Sequence, residues 1–189
     1  MRLNSPRIAP VADQDLTSEQ AAVLEALAEP WRGLNLFRTV VRSPGALASL
    51  LPAGDYIRSV SSLPVREREI VILRIGWLCA SGYEWTQHVF SGRQAGLSKD
   101  EVAAIKAGAD APGWSAADQA LIRACDELHA EQFIGSATWA ALLAHFDEAQ
   151  AMDVVFIAGH YVMVSMITNV FGVQLDPGQR LDPDLARPA

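Results

Sequence analysis

Glu84 and His88 stand four residues apart in "SGYEWTQH", residues 81–88. On a helix this spacing puts both side chains on one face, within reach of each other. A carboxylate beside an imidazole raises the pKa of the ring and orients it, which is half of a proton relay. The octapeptide also has a second reading. Ser81-Gly82-Tyr83-Glu84 fits S-x-x-E, a capping box with Ser81 as the N-cap and Glu84 reaching back to it. A carboxylate so placed stays ionised, because the helix N-terminus and a backbone N–H bond both favour the charge. On that reading Glu84 is a base or an acceptor rather than a proton donor, and His88 is a satisfied, partly buried histidine.

Glu69 directly precedes the apolar run Ile70–Leu73, at the mouth of the core, where a carboxyl pKa rises. It is the expected protonated partner of an ionised Glu84. The plainer alternative is a solvated face on which Glu67 and Glu69 pair with Arg66 and Arg68. Arg74 is the one charge between Ile70 and Ala80. It must snorkel or meet an anion, either a structural carboxylate such as Glu67 or, bidentately, the carboxylate of a substrate. His160, with Tyr161, is the most polar point of a long uncharged segment. It either lines the same cavity as His88 or bonds a backbone carbonyl in the core. His129 and His145 stand beside acidic residues near helix ends and read as surface groups. Neither H-E-x-x-H nor C-x-x-C occurs around Glu84, His88 and His160, so no metal is expected. No glycine-rich phosphate loop and no G-x-S-x-G elbow occurs, and no cofactor is expected.

The elements that must position these groups read as helices throughout. Thr17-Ser18-Glu19-Gln20 and Ser98-Lys99-Asp100-Glu101 fit capping boxes, and Ser115 fits an N-cap. Pro44-Gly45 reads as the stop of a second helix, Pro64 as the start of the strong apolar helix that carries Glu69 and Arg74, and Gly96 as the end of the helix that carries His88. The spacing predicts one all-α bundle of about eight to nine helices over residues 16–175. An extended arm, 1–15, precedes it and a loose polar tail, 176–189, follows. With 189 residues, half of them hydrophobic, a sizeable core is within reach. A net charge of −7 and the lack of a Lys/Arg block oppose nucleic-acid binding. Residues 154–174 carry no formal charge and are long enough to cross a bilayer. Gly159, His160, Tyr161, Ser165, Thr168 and Asn169 within them argue instead for a helix covered by the core or by another subunit, so a homo-oligomer is expected and a membrane partner is not. The N-terminus has no apolar signal core, and Cys79 and Cys125 read as buried free thiols of a cytoplasmic protein.

Residues 66–105, "REREIVILRIGWLCASGYEWTQHVFSGRQAGLSKDEVAAI", resemble the carboxymuconolactone decarboxylase family, whose fold is that of alkylhydroperoxidase D. The marks are E-R-E before an apolar helix, W-L-C, Y-E-W-x-x-H, and A-G-L-S before an acidic helix start. The stretches "APGWSAADQALIRACDELH" and "WAALLAHFDEAQAMDVVFIAGHYVMVSMITN" are similar to members of the Y-E-W-x-x-H subgroup, so the likeness spans residues 30–175. It implies an all-α subunit that assembles as dimers, trimers or hexamers around a small-molecule site. In the hydroperoxidase branch a C-x-x-C precedes the histidine that His88 matches, and Glu69 falls on the relay glutamate. Ser81 and Glu84 occupy the cysteine positions, so peroxide reduction would fall to Cys79 or Cys125, neither at the helix N-terminus that makes a reactive thiolate. The decarboxylase branch works without metal or organic cofactor on a small carboxylated lactone. For that chemistry His88 and Glu69 are the expected groups for proton transfer and enolate stabilisation, with Glu84 orienting His88, and Arg74, His160, Tyr83 and Trp85 are the expected substrate contacts. A non-catalytic oligomeric binding module on the same scaffold is the remaining alternative.

Overall fold

The computed structural model describes residues 1–186. Side-chain caps set most of its helix starts. Thr17 and Gln20 close a reciprocal capping box on α1 (Ser18–Glu25). The short α2 (Asn35–Val40) is anchored at its start by Asp176, which accepts the Asn35 backbone N–H at 2.8 Å. Pro44 does not stop a helix as the sequence suggests. It opens α3 (Pro44–Ser59) at the first position, where a missing N–H leaves no bond unmade.

Pro64 precedes α4 (Val65–Leu78), and Ser81 caps α5 (Gly82–Gln94). Ser98 and Glu101 form the box on α6 (Lys99–Ala107), and Ser115 caps α7 (Ala116–Glu131). Then come α8 (Ser136–Leu143) and the long α9 (Glu148–Phe171), which Asp147 and Gln150 box. Among the described residues there are nine α-helices, three short 3₁₀ turns and no strand, the all-α class that the patterning predicts.

The apolar helix α4 is the axis of the fold, with α5, α7 and α9 packed around it. Residues from Glu69 to Gly76 are all buried. α5 returns antiparallel to α4 through a tight turn in which Ala80 takes a φ of 50°. Ser81 shares a buried 2.9 Å hydrogen bond with Thr168 of α9 and so fixes that turn to the third helix. Two glycines lie at the α4–α5 contact. A Cβ on Gly76 would lie 3.6 Å from Glu84 Cβ, and one on Gly92 would lie 3.2 Å from Leu73 Cδ1 and 3.7 Å from Glu69 Cβ. Gly92 therefore packs tightly against Leu73 beside Glu69, whereas Gly76 sits at ordinary van der Waals distance from Glu84.

A second apolar cluster covers one end of this core. Leu24, Phe37, Val41 and Leu47 from α1–α3 pack with Tyr83 and Val164. The arm is held by Arg7 and Ile8, whose N–H groups donate to the Phe171 carbonyl. The tail expected to be loose is tied down over residues 176–186. Leu185 is buried, Asp182 accepts the Trp85 indole N–H at 3.1 Å, and the Met1 ammonium donates to the Leu185 carbonyl at 2.6 Å. The rest of that expectation, 187–189, lies outside the described residues.

α9 is covered on one side only. Met152, Phe156, Met163, Met166 and Val170 are exposed along the other. By length and composition α9 could cross a membrane, but part of it is core.

Candidate active site

Glu69 leaves α4 and His88 leaves α5 at the level where Gly92 lets the two helices touch. His88 Nδ1 lies 2.8 Å from Glu69 Oε2. The other ring nitrogen, Nε2, lies 3.8 Å from Glu84 Oε2, one turn back on α5. Tyr161 of α9 stands edge-on to the His88 ring, with centroids 4.9 Å apart, and the His160 ring lies 5.4 Å from that of Tyr161. Glu84, His88, His160 and Tyr161 line one cavity of about 100 Å³ at the seam between the two apolar clusters. Phe37 of α2 and Arg58 of α3 contribute the opposite wall. Glu84 Oε1 and His160 Nδ1 are both buried without a protein partner. Each such atom costs about 1–3 kcal/mol, a cost that a bound molecule would offset by supplying the missing bond.

Burial of Glu84, only 4% exposed, pushes its pKa up to about 7, with the nearby His88 charge moderating the rise. Burial also works against charge on His88, but the charge and hydrogen bond of Glu69, with Glu84 beyond, outweigh it and raise the pKa of the ring. Burial drives the Tyr161 phenol well above its usual value, and the two glutamates add to the effect. Tyr161 is therefore a neutral hydrogen-bond donor in the cavity wall.

The capping-box expectation for Glu84 is half met, and its electrostatic consequence is overturned. Ser81 Oγ accepts the Glu84 N–H at 3.4 Å. The Glu84 carboxyl does not return to the Ser81 N–H, which donates instead to the Gly76 carbonyl at 2.9 Å. The carboxyl turns inward, and burial wins over the helix terminus. Glu84 is thus the group poised to hold a proton near neutrality, and Glu69 is the acceptor that orients His88. Glu69 itself is 5% exposed, so it is not part of a solvated charged face.

Residues 44–127 match the Carboxymuconolactone decarboxylase family. The matched segment is less than half of the chain. It reaches from α3 into α7 and contains Arg58, Glu69, Glu84 and His88, while His160 and Tyr161 lie beyond it. Solved structures place the family segment in its fold. A putative antioxidant defence protein AhpD from Agrobacterium tumefaciens superposes with a TM-score of 0.67 at 22% identity, covering 71% of this chain and 93% of that one. A peroxidase-related protein from Silicibacter gives a TM-score of 0.73 at 14% identity, over 94% and 92%. The debrominase Bmp8, in its apo form, gives 0.70 at 10% identity, over 90% and 92%. At these identities the likeness is one of fold. No curated protein matches the chain.

Within this family fold several sequence assignments change. Arg74 does not reach the cavity. Its Nε donates to Asp126 at 2.6 Å and its Nη1 to the carbonyls of Ile105 and Lys106 at 2.7 and 3.1 Å. It is a structural arginine, with Asp126 rather than Glu67 as its partner. Trp85 is removed from substrate contact too: its ring packs on Trp77 at 5.3 Å and its N–H is taken by Asp182. Tyr83 lines the cavity, but its hydroxyl donates to Asp176 at 2.7 Å. Cys79 lines a separate surface groove, with burial raising its thiol pKa against a Ser165 hydrogen bond and the Arg2 charge. Cys125 is fully buried, and that burial raises its thiol further. Neither thiol is activated. Among the described residues no group of His, Cys, Asp or Glu is arranged to hold a metal ion. Sequence reasoning missed Arg58, which sits on α3, outside the motif and with no local signal.

The pH dependence of stability tests this electrostatic arrangement. Unfolded, Glu84 titrates at its ordinary value of 4.5, whereas folded it holds its proton up to about 7. Between those values the folded chain binds more protons, so stability falls as pH rises through the window. His88 has the same sign: its raised pKa gives stability that is present below 6.5 and lost as pH rises through the folded value. Urea unfolding of Glu84→Gln should therefore show a gain over the parent at pH 8 relative to pH 5, on the order of 2–3 kcal/mol. An equal difference at both pH values contradicts a buried, proton-holding Glu84.

Proposed function

We propose that the chain is a cofactor-independent acid–base enzyme acting on a small ring or lactone, with decarboxylation as its first reaction. One observation carries this reading: a buried carboxyl with one unpartnered oxygen, its pKa raised by that burial, beside an imidazole fixed by a second carboxyl on the wall of a small cavity. A group that titrates near the working pH is the most effective proton donor and acceptor. In a decarboxylation the bond to the departing carboxylate breaks as CO₂. Its electron pair moves onto the adjacent carbonyl oxygen as an enolate, and Glu84 then places its proton on the carbon. His88 Nε2 and the Tyr161 hydroxyl supply hydrogen bonds to the developing charge. Glu84 regains its proton from solvent through His88. A closed void of about 150 Å³ holds benzene, so a cavity of about 100 Å³ admits a small ring rather than an extended chain.

The same reading has copies of the chain associate through α9. The exposed residues Met152, Phe156, Met163, Met166 and Val170, with Gly159 between them, recur at alternating intervals of four and three residues, a seam suited to another helix. Sedimentation should find more than one chain per particle, and Met166→Asp should shift the particle toward the single chain; a monomeric parent protein overturns this association.

Activity is tested with CO₂ release from a small carboxylated lactone. Glu84→Gln and His88→Ala should each lower kcat by about 10²–10⁴-fold, and Glu69→Gln by less, because it acts through His88. Cys79→Ser with Cys125→Ser should leave the rate unchanged. Full activity of Glu84→Gln with intact folding, or loss of activity in the cysteine variant alone, overturns the reading.

A further inference from the structure

We propose that Arg58 and His160 form an anion subsite in the cavity that Glu84 and His88 also line, so that the molecule bound there carries a carboxylate that Arg58 selects over neutral isosteres. This rests on the acid–base reading only in taking the same cavity as the site.

Four observations converge on Arg58. It lines the inner cavity, and it also lines an outer cleft of about 370 Å³ whose wall includes Glu69 and His88. Trp31, Ser91 and Tyr161 likewise border both spaces. Arg58 therefore stands, with His88, where the outer cleft meets the cavity. Its guanidinium is held over the Trp31 ring, with Cζ 4.8 Å from the centroid, which fixes the plane without consuming its donors. It reaches His160: a Cβ on Gly54 would lie 3.2 Å from Arg58 Nη1 and 3.9 Å from His160 Nε2, so both groups border the space that Gly54 leaves open.

Finally, the carboxylate that Arg58 now contacts is dispensable. Asp55 is one turn away on α3, and its side chain is 67% exposed. An exposed ion pair of this kind is worth no more than about 1 kcal/mol, so a ligand carboxylate can replace Asp55 at little cost.

His160 supplies the complementary donor. Burial and the Arg58 charge both lower its pKa, which keeps the ring neutral with one N–H to give. Its Nδ1 has no protein partner, as Glu84 Oε1 has none on the relay side. The cavity wall thus carries both basic and acidic groups. A small anion with a carbonyl or ring proton facing away from its carboxylate satisfies both.

The test uses 2-furoate and its neutral isostere 2-furamide as probes, titrated into the full chain and followed by NMR of the histidine rings. Furoate should bind at least about tenfold more tightly than furamide, the equivalent of one charge-assisted pair. Arg58→Gln should lose that preference and Arg58→Lys should retain part of it. Asp55→Asn, an exposed change, should tighten furoate about threefold by freeing the guanidinium, and it decides the matter if Arg58→Gln fails to fold. Preference for furoate over furamide without CO₂ release from any lactone separates failure of the relay from failure of the subsite. Equal binding of the two probes, or no tightening in Asp55→Asn, overturns the proposal.

Discussion

The close approach of α4 and α5 is the constraint on which the site depends. Gly92 lets α5 approach Leu73 of α4 closely, and the antiparallel return sets Glu69 against His88. The turn between them is fixed by Ser81 to Thr168 of α9, the helix whose Tyr161 stands edge-on to His88 with His160 beside it. A methyl group at Gly92 would press on Leu97 and Leu73, core residues packed beside the relay. Packing and chemistry share one geometric condition here.

Charge follows from that packing. α4 has almost no solvent-facing side along its middle, so carboxyls at its edge enter a medium where ionisation is costly. Glu69 meets this cost by accepting from His88. Glu84 has one oxygen near His88 and the other without a partner, and it responds by holding its proton to higher pH. The cavity exists because the α1–α3 cluster does not fill the seam against α5 and α9. It is bounded by aromatic side chains from both sides and by one arginine. Perturbed titration, unpaired buried polar atoms and an unfilled space coincide at this one location, a combination typical of sites that act on a ligand.

Helix caps are legible in the sequence where both partners lie within one turn. The capping boxes at Thr17 and Ser98 form with their third-position partners, because both members lie within one turn. The partnership of Glu69 with His88 was legible only through the spacing of the family motif, since the residues come from different helices. Three misreadings have long-range causes. Glu84 leaves its capping box because the interior formed by α4 and α9 is nearby. Arg74 finds Asp126 of α7, which no spacing on α4 indicates. Arg58 enters the site from α3, thirty residues before His88 in a helix whose pattern is otherwise that of an ordinary surface helix. The tail gives the same lesson: its polar, proline-rich composition suggests looseness, yet Asp176 and Asp182 each find donors across the fold.

The most direct measurement is an NMR titration of the Glu84 carboxyl carbon in the full chain, assigned by comparison with Glu84→Gln. The account predicts an inflection near 7, coupled to a second change when the His88 ring titrates. An inflection near 4.5, at the ordinary value of an exposed glutamate, would contradict it.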